Sequence, residues 1–396
     1  MATTFKTFLN NDVASTRTML HEAIPITGSL VSGTYGGNTI ALGSEPHIKS
    51  YSHGMFQSVY DYPYLSSSAN HIFDIAIGLS PSGSLYSATT SQQSKKRNIY
   101  NQMAQILMGH DATGSIQEFD QDGNILAGGT KLQEVFFLNF ARLLAKDEIK
   151  KGSFELELGI DYQEYTAAKE GGGGFFDKRI KLTDASGSDG YFVNSPAGEY
   201  GVLYAQTTED GDGNPGIANY MVESETAAST THPACGLIFY QAGIVVVSGS
   251  VFNASDMAGG NGILDASNAD SVELHTDTGA ANLTGFNFIT ASSIDTTCNA
   301  IRDRIYNLQF NNTTELNSSI YFCRANHNDF NYSSNPTYLN GSKIRVKNST
   351  VDNPVSYITT VGLYSADNEL LAVAKLSEPL KKDPSTELTL RVRLDY

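Results

Sequence analysis

The sequence predicts an α+β protein: a mixed N-terminal part with two or three helices, then antiparallel, β-rich, sandwich-like domains. Three observations carry this expectation. The run Glu387 to Leu394 alternates Leu388, Leu390, Val392 and Leu394 with Thr389, Arg391 and Arg393, the period of two that wets one face of a strand. The stretches 95–108 and 130–152 instead space apolar residues as helices do. With 36 glycines, 21 tyrosines and no tryptophan, the chain is furnished for turns and strands.

Taken in order, Asn11 or Asp12 can cap a short helix over 13–22, with Pro25 just past it. A loop-rich region, 27–68, contains the alternating aromatics Tyr60, Tyr62 and Tyr64, and His71 to Leu79 (HIFDIAIGL) reads as a strand. A helix over Lys95 to Met108 puts Ile99, Met103, Ile106 and Leu107 on one face and ends at Gly109. In 130–152, Thr130 and Gln133 form a capping box, and Leu132, Val135, Phe136, Phe140 and Leu143 make an apolar stripe. Lys150 and Lys151 suit the negative end of that helix, and Gly152 stops it.

From Ser153 the pattern is strands. FELELGI alternates, KRIKL and GVLYAQ follow, and Leu237 to Tyr240 pairs with Ile244 to Val247 around Gln241-Ala242-Gly243 as a hairpin covered on both faces. After a glycine- and asparagine-rich loop, 253–268, the last third is again strands, with one short helical candidate over Asp295 to Tyr306. At the end, Tyr357 to Tyr364 and Glu369 to Leu376 form a hairpin about Ser365-Ala366-Asp367-Asn368, with Val361, Leu363, Leu371 and Val373 read as residues of a packed sheet. Composition shifts divide the chain at 1–152, 153–255 and 256–396, and no repeat period is present.

The string YITTVGLYSADNELLAVAKLSEPL resembles the closing hairpin of tail-associated structural proteins of contractile-tailed phages: a Gly-Leu-Tyr step, an acidic turn and a Leu-Leu-Ala-Val return. Ser318 to Asn348, His21 to Gly37 and Ser50 to Gly78 extend the likeness to virion structural proteins of T-even-like myophages, including those of marine cyanobacteria. The resemblance implies a virion component, assembled in the host cytoplasm and present in the tail. It also implies symmetric homo-oligomers and other tail or baseplate proteins as partners.

Composition narrows the alternatives. At 396 residues, 40% hydrophobic and 17% charged, the chain can bury ample core. A formal charge of −16 opposes a phosphate backbone, so nucleic acid is not an expected partner. No apolar run is long enough to span a membrane, and MATTFKTFLNNDV is too polar for a signal peptide. Cys235, Cys298 and Cys323 are sparse and odd in number, which reads as reduced, buried small hydrophobes.

Nothing in the sequence carries a catalytic, cofactor-binding or metal-binding pattern: there is no G-x-S-x-G, no P-loop and no H-E-x-x-H. Gly171 to Gly174 lacks the Lys and Ser or Thr of a phosphate cradle and reads as a hinge loop. Asp210 to Gly216 and Asp120 to Asn124 space oxygens as calcium loops do, but Pro215 and Ile125 stand where the sharp turn needs glycine, so both read as plain turns. His53 and His71 read as hydrogen-bonded residues near a core.

The candidate interface consists of Tyr60, Tyr62 and Tyr64, the basic run Lys95, Lys96 and Arg97, and the single-face cations Lys343, Arg345 and Lys347 with Arg391 and Arg393. The basic run stands at a helix start, where positive charge is unfavourable and an acidic partner would compensate it. A fibre would show a repeat-built shaft, and an envelope hydrolase would need paired carboxylates or a metal cluster; Glu155 and Glu157 on one strand face are commonplace. The expected function is therefore a non-enzymatic structural subunit that holds neighbours together in the baseplate or tail periphery. A neck, collar or fibre-attachment protein is the alternative, with capsid and host-receptor-binding proteins behind it.

Overall fold

Val13–Thr27, the first predicted helix, is instead a 15-residue strand, β1. This is seen in a computed structural model that describes residues 5–27, 47–87, 90–124, 129–159, 179–185, 192–207, 234–253, 263, 285–331, 339–340, 343–344 and 355–396. The segment carries too few apolar residues for a helical stripe, is rich in threonine, and holds Pro25. Pairing with a later strand supplies its backbone partners.

The N-terminal elements continue with β2 (Ile48–Ser50), β3 (Phe56–Tyr60), β4 (His71–Leu79), helix α1 (Ser91–Leu107) and β5 (Glu134–Phe140). Next come α2 (Arg142–Ala145), β6 (Glu148–Ile149), β7 (Glu155–Gly159), β8 (Arg179–Thr183), β9 (Phe192–Ser195), β10 (Gly198–Thr207), β11 (Ala234–Phe239) and β12 (Ile244–Ser248). The chain closes with α3 (Gly285–Ala291), α4 (Ile294–Arg302), β13 (Ile305–Ala325), β14 (Leu339–Asn340), β15 (Lys343–Ile344), β16 (Ser356–Tyr364), β17 (Leu370–Lys382) and β18 (Leu388–Asp395).

The α+β expectation is thus corrected: among the described residues 50% are strand and 16% helix, and the architecture is a large antiparallel sheet. The decisive segment is 130–152, where the predicted helix is β5 followed by the single turn α2. Val135, Phe136 and Phe140 fit a helical stripe, but Phe137 and Leu138 lie off it and would face water on a helix. In a strand covered on both faces all five are buried. A short, continuous apolar run fits both periods, and the neighbours on each side decide.

Contacts divide the chain into two compact units, His21–Thr314 and Met1–Leu20 with Glu315–Tyr396. In the larger unit the strands run β13–β7–β8–β10–β11–β12–β5–β4–β3–β2, with β6 beside β13 and β9 beside β10. β5 sits between β4 and β12, so that Phe137 stands opposite Ala76 on one side and Val246 on the other. β11 and β12 form the predicted hairpin, Leu237 opposite Val246, closed at Tyr240–Gly243. Helix α1, capped by Thr90 accepting from the Gln93 amide at 3.3 Å, lays Ile99, Tyr100, Ala104 and Leu107 against β4. Ile106, predicted on that face, is exposed, and Tyr100 takes its place in the core. The helix predicted at 295–306 is α4 as far as Arg302, capped by Ser293, while Ile305 and Tyr306 already belong to β13.

One glycine in this sheet is fixed by close approach. A Cβ on Gly236 in β11 would lie 2.3 Å from the Val246 carbonyl oxygen of β12. Because the obstruction is backbone, Gly236→Ala is expected to cost about 2 kcal/mol by forcing two ladder strands apart. Urea unfolding of wild type and variant checks this, and equal midpoints would refute it.

In the smaller unit β18 pairs with the C-terminal half of β13 from Ser318–Asp395 to Ala325–Leu388. β1 joins β13 as well, Ser15 meeting the Ser319 hydroxyl at 3.3 Å. β16 and β17 pair as predicted, and the turn is closed by the Ser365 amide donating to Glu369 and by Asn368 at φ +64°. The packed-sheet expectation fails here: Leu363 is buried, Val361 half-buried, and Leu371 and Val373 are exposed. The alternating third arm, β18, pairs with β13 and not with the hairpin.

Candidate interaction surfaces

The tyrosines of the predicted interface gather at the β2–β3 margin of the sheet. Tyr60 ends β3, its ring 6.2 Å from that of Tyr64 and 5.5 Å, edge-on, from His71. Tyr62 projects from the following turn and is exposed. The string SYSHGMF adds residues the aromatic count alone does not single out. Tyr51 stacks on His53 at 5.1 Å and tilts against Phe56 at 4.8 Å. Lys49 places its ammonium 4.8 Å from the Tyr51 ring centre and 6.0 Å from that of Tyr64. The result is an aromatic patch with one cation over it, held by β2 pairing with β3 through Ile48–Val59.

Beneath it lies a polar group of serine, aspartate and histidine. Ser58 and Asp74 are cross-strand neighbours; the Ser58 hydroxyl donates to Asp74 Oδ1 at 2.5 Å. His71 Nε2 donates to the same oxygen at 2.8 Å, and the Tyr51 hydroxyl is 3.2 Å from Ser58 Oγ. The order matters chemically. An acylating serine needs the imidazole between it and the carboxylate, so that the base can take its proton. Here the carboxylate stands between, accepts from both, and holds the serine proton away from the imidazole. Burial, followed by the neighbouring Tyr51, pushes the Tyr60 phenol up, which keeps it protonated and apolar-faced. His53 and His71 are both hydrogen-bonded, His53 Nδ1 accepting from the Met55 amide at 3.2 Å.

The basic run does not form one patch. Lys95 reaches the His53 carbonyl at 2.8 Å, and Arg97 reaches the Tyr86 hydroxyl at 3.2 Å. Lys96 turns inward and is fully buried. Its ammonium donates to the carbonyls of Ile289, Thr290 (3.4 Å) and Ser292 (2.6 Å) at the C-terminal end of α3. The charge that looks misplaced at the start of α1 is the cap of another helix, where the dipole favours it. Loss of hydration lowers its pKa to about 8, opposed by the nearby Cys298. Cys235 and Cys298 are buried, Cys323 is half-buried, and none is bridged.

The remaining predicted cations lie in the smaller unit. Arg391 and Arg393 share the exposed face of β18, and Arg393 donates to Ser318 Oγ at 3.0 Å and Asp395 at 2.8 Å. Lys343 lies in β15, whereas Arg345 and Lys347 lie outside the described residues. So do Gly171 to Gly174 and the loop Asp210 to Gly216. The other calcium-like segment is a turn, the Gly123 amide donating to the Asp120 carbonyl at 3.2 Å, with Asp120 ion-paired to Lys131.

Two further features came only from the fold. A surface cleft of about 350 Å³ opens beside Ile24, Lys150, Ser153, Glu155 and Gln309. Glu155 is already engaged by Gln309 and by Lys181 at 3.4 Å, so its polar wall is satisfied from within. Glu134, at the start of β5, is buried, and desolvation pushes its carboxyl up to about 7. Among the described residues no three His, Cys, Asp or Glu side chains converge as metal ligands, and no helix is long and apolar enough to cross a membrane.

No protein-family model matches the chain, and no curated protein or solved structure does either.

Proposed function

We propose that this chain is a structural subunit of a contractile-tailed phage virion, placed at the baseplate or tail periphery, where it holds neighbouring tail proteins together and catalyses nothing. The observation that carries the reading is the state of β16–β17. The hairpin whose wording resembles tail proteins presents Leu371 and Val373 to solvent at 68% and 52% exposure. Exposed apolar side chains on a separate two-stranded sheet are the kind of surface a partner covers. The aromatic patch at Lys49, Tyr51 and Tyr64 supplies a second contact of the kind that anchors interfaces.

The test is cryo-electron microscopy of the particles whose genome encodes the chain. Several symmetric copies at the distal tail are expected. Density for it in the head alone, or its absence from the particle, would overturn the reading.

A further inference from the structure

We propose that the smaller unit, Met1–Leu20 with Glu315–Tyr396, is an obligate self-association module whose apolar side chains are covered by the same unit of a second copy of this chain. The proposal deepens the function proposed above, on which its setting in a phage tail rests, by naming the partner of that surface.

The first argument is the core. Among the described residues, the smaller unit buries just two apolar side chains, Ala325 and Leu363. Among the described residues no member of the hydrophobic core cluster comes from it; that cluster runs from Ile26 to Phe310. A lone hairpin such as β16–β17 is at best marginal in water. Cover from outside the unit would stabilise such a hairpin.

The second argument is what the unit offers in place of a core. Phe5, Leu9, Tyr357, Leu371, Val373 and Tyr396 are each more than half exposed. Backbone edges are open beside them: among the described residues β16 and β17 pair with each other alone, and β18 pairs with β13 alone. Permanent interfaces are apolar in this way, and open edges invite strand pairing.

The third argument selects the occupant. The smaller unit holds eleven Lys and Arg against ten Asp and Glu, a net of +1. The larger unit holds fifteen against thirty-two, a net of −17. A surface built for a partner of opposite charge carries an unbalanced field; this one is balanced, and two copies meet across it without repulsion. The larger units repel one another, so the neutral, apolar unit is where copies can join.

Sedimentation of the full chain at micromolar concentration tests this. The expected mass is a whole multiple, two or more, of 42.7 kDa. The double variant Leu371→Asp, Val373→Asp is expected to associate about a hundredfold more weakly, whereas Ile106→Asp, at a comparably exposed site of the larger unit, leaves the mass unchanged. Hydrogen exchange on the unmutated chain gives a second readout: protection of β16 and β17 should fall on dilution while that of β5 holds. A wild-type monomer, association untouched by the double variant, or hairpin protection independent of concentration would each overturn the proposal. A monomer that is nonetheless found in the tail refutes self-association and leaves the structural role standing. An oligomer absent from the tail does the reverse.

Discussion

Replacing Lys96 with methionine is expected to destabilise the folded chain by about 3 kcal/mol, although the two side chains are of similar length and the position is fully buried. Methionine fills the space and removes the cost of burying an ammonium. It also strips the donor from the carbonyls of Ile289, Thr290 and Ser292, which close the C-terminal end of α3. Unpaired buried acceptors cost more than the relieved desolvation returns. The pH dependence separates this from a loss of packing. Lys96 has its folded pKa lowered to about 8, from an ordinary value of 10.5. Between those values the unfolded chain holds a proton that the folded chain has released, so wild-type stability gains with rising pH from this residue. The gap between wild type and Lys96→Met should therefore widen from pH 7 to pH 10. Urea unfolding at the two pH values measures it; a gap that stays constant would show that folding does not lower the Lys96 pKa.

Glu134→Gln is expected to act in the opposite sense, raising stability at pH 8 by about 2–3 kcal/mol. Desolvation lifts the folded pKa of Glu134 from 4.5 to about 7. The folded chain thus binds this proton more tightly than the unfolded one. The stability tied to the protonated form is complete below pH 4.5 and is lost as pH climbs through 7. At pH 8 a carboxylate sits in the sheet interior beside Gly83, whose Cβ position is 3.2 Å from Glu134 Oε1. Glutamine keeps the shape and removes the charge. Chemical denaturation at pH 4 should find the two proteins nearly equal, and at pH 8 the variant clearly more stable. An unchanged midpoint at pH 8 would mean that the carboxylate is solvated in the folded chain.

Much of the strand content was legible because it announces itself residue by residue. FELELG alternates, HIFDIAIGL is bounded by polar turns, and the Gln241-Ala242-Gly243 break places a hairpin between β11 and β12. Helix α1 was legible from apolar residues at helical spacing, and α4 as a short helical candidate, while their hydroxyl caps, Thr90 and Ser293, came only with the structure. In 130–152 local signals fitted a helix and partners distant in sequence outweighed them, while in 13–22 a capping residue stood before a segment with no helical stripe. β1 is held by β13 some three hundred residues away, and β5 is enclosed by β4 and β12.

The candidate surface divided in the same way. Tyr60, Tyr62 and Tyr64 were visible as a row, but Lys49, Tyr51 and Asp74 join them only once β2, β3 and β4 lie side by side. The basic run at Lys95 was visible as charge, and its division into two accessible groups and a buried helix cap was not.

By itself, then, the sequence determined which stretches alternate, where turns break them, and how charge is apportioned along the chain, because these depend on near neighbours. The fold class, the inward turn of Lys96, the neutralised serine at Asp74 and the bare apolar hairpin were decided by the tertiary structure. Each depends on what packs against a residue from a remote part of the chain, and a side chain's burial, partners and charge state are properties of that environment.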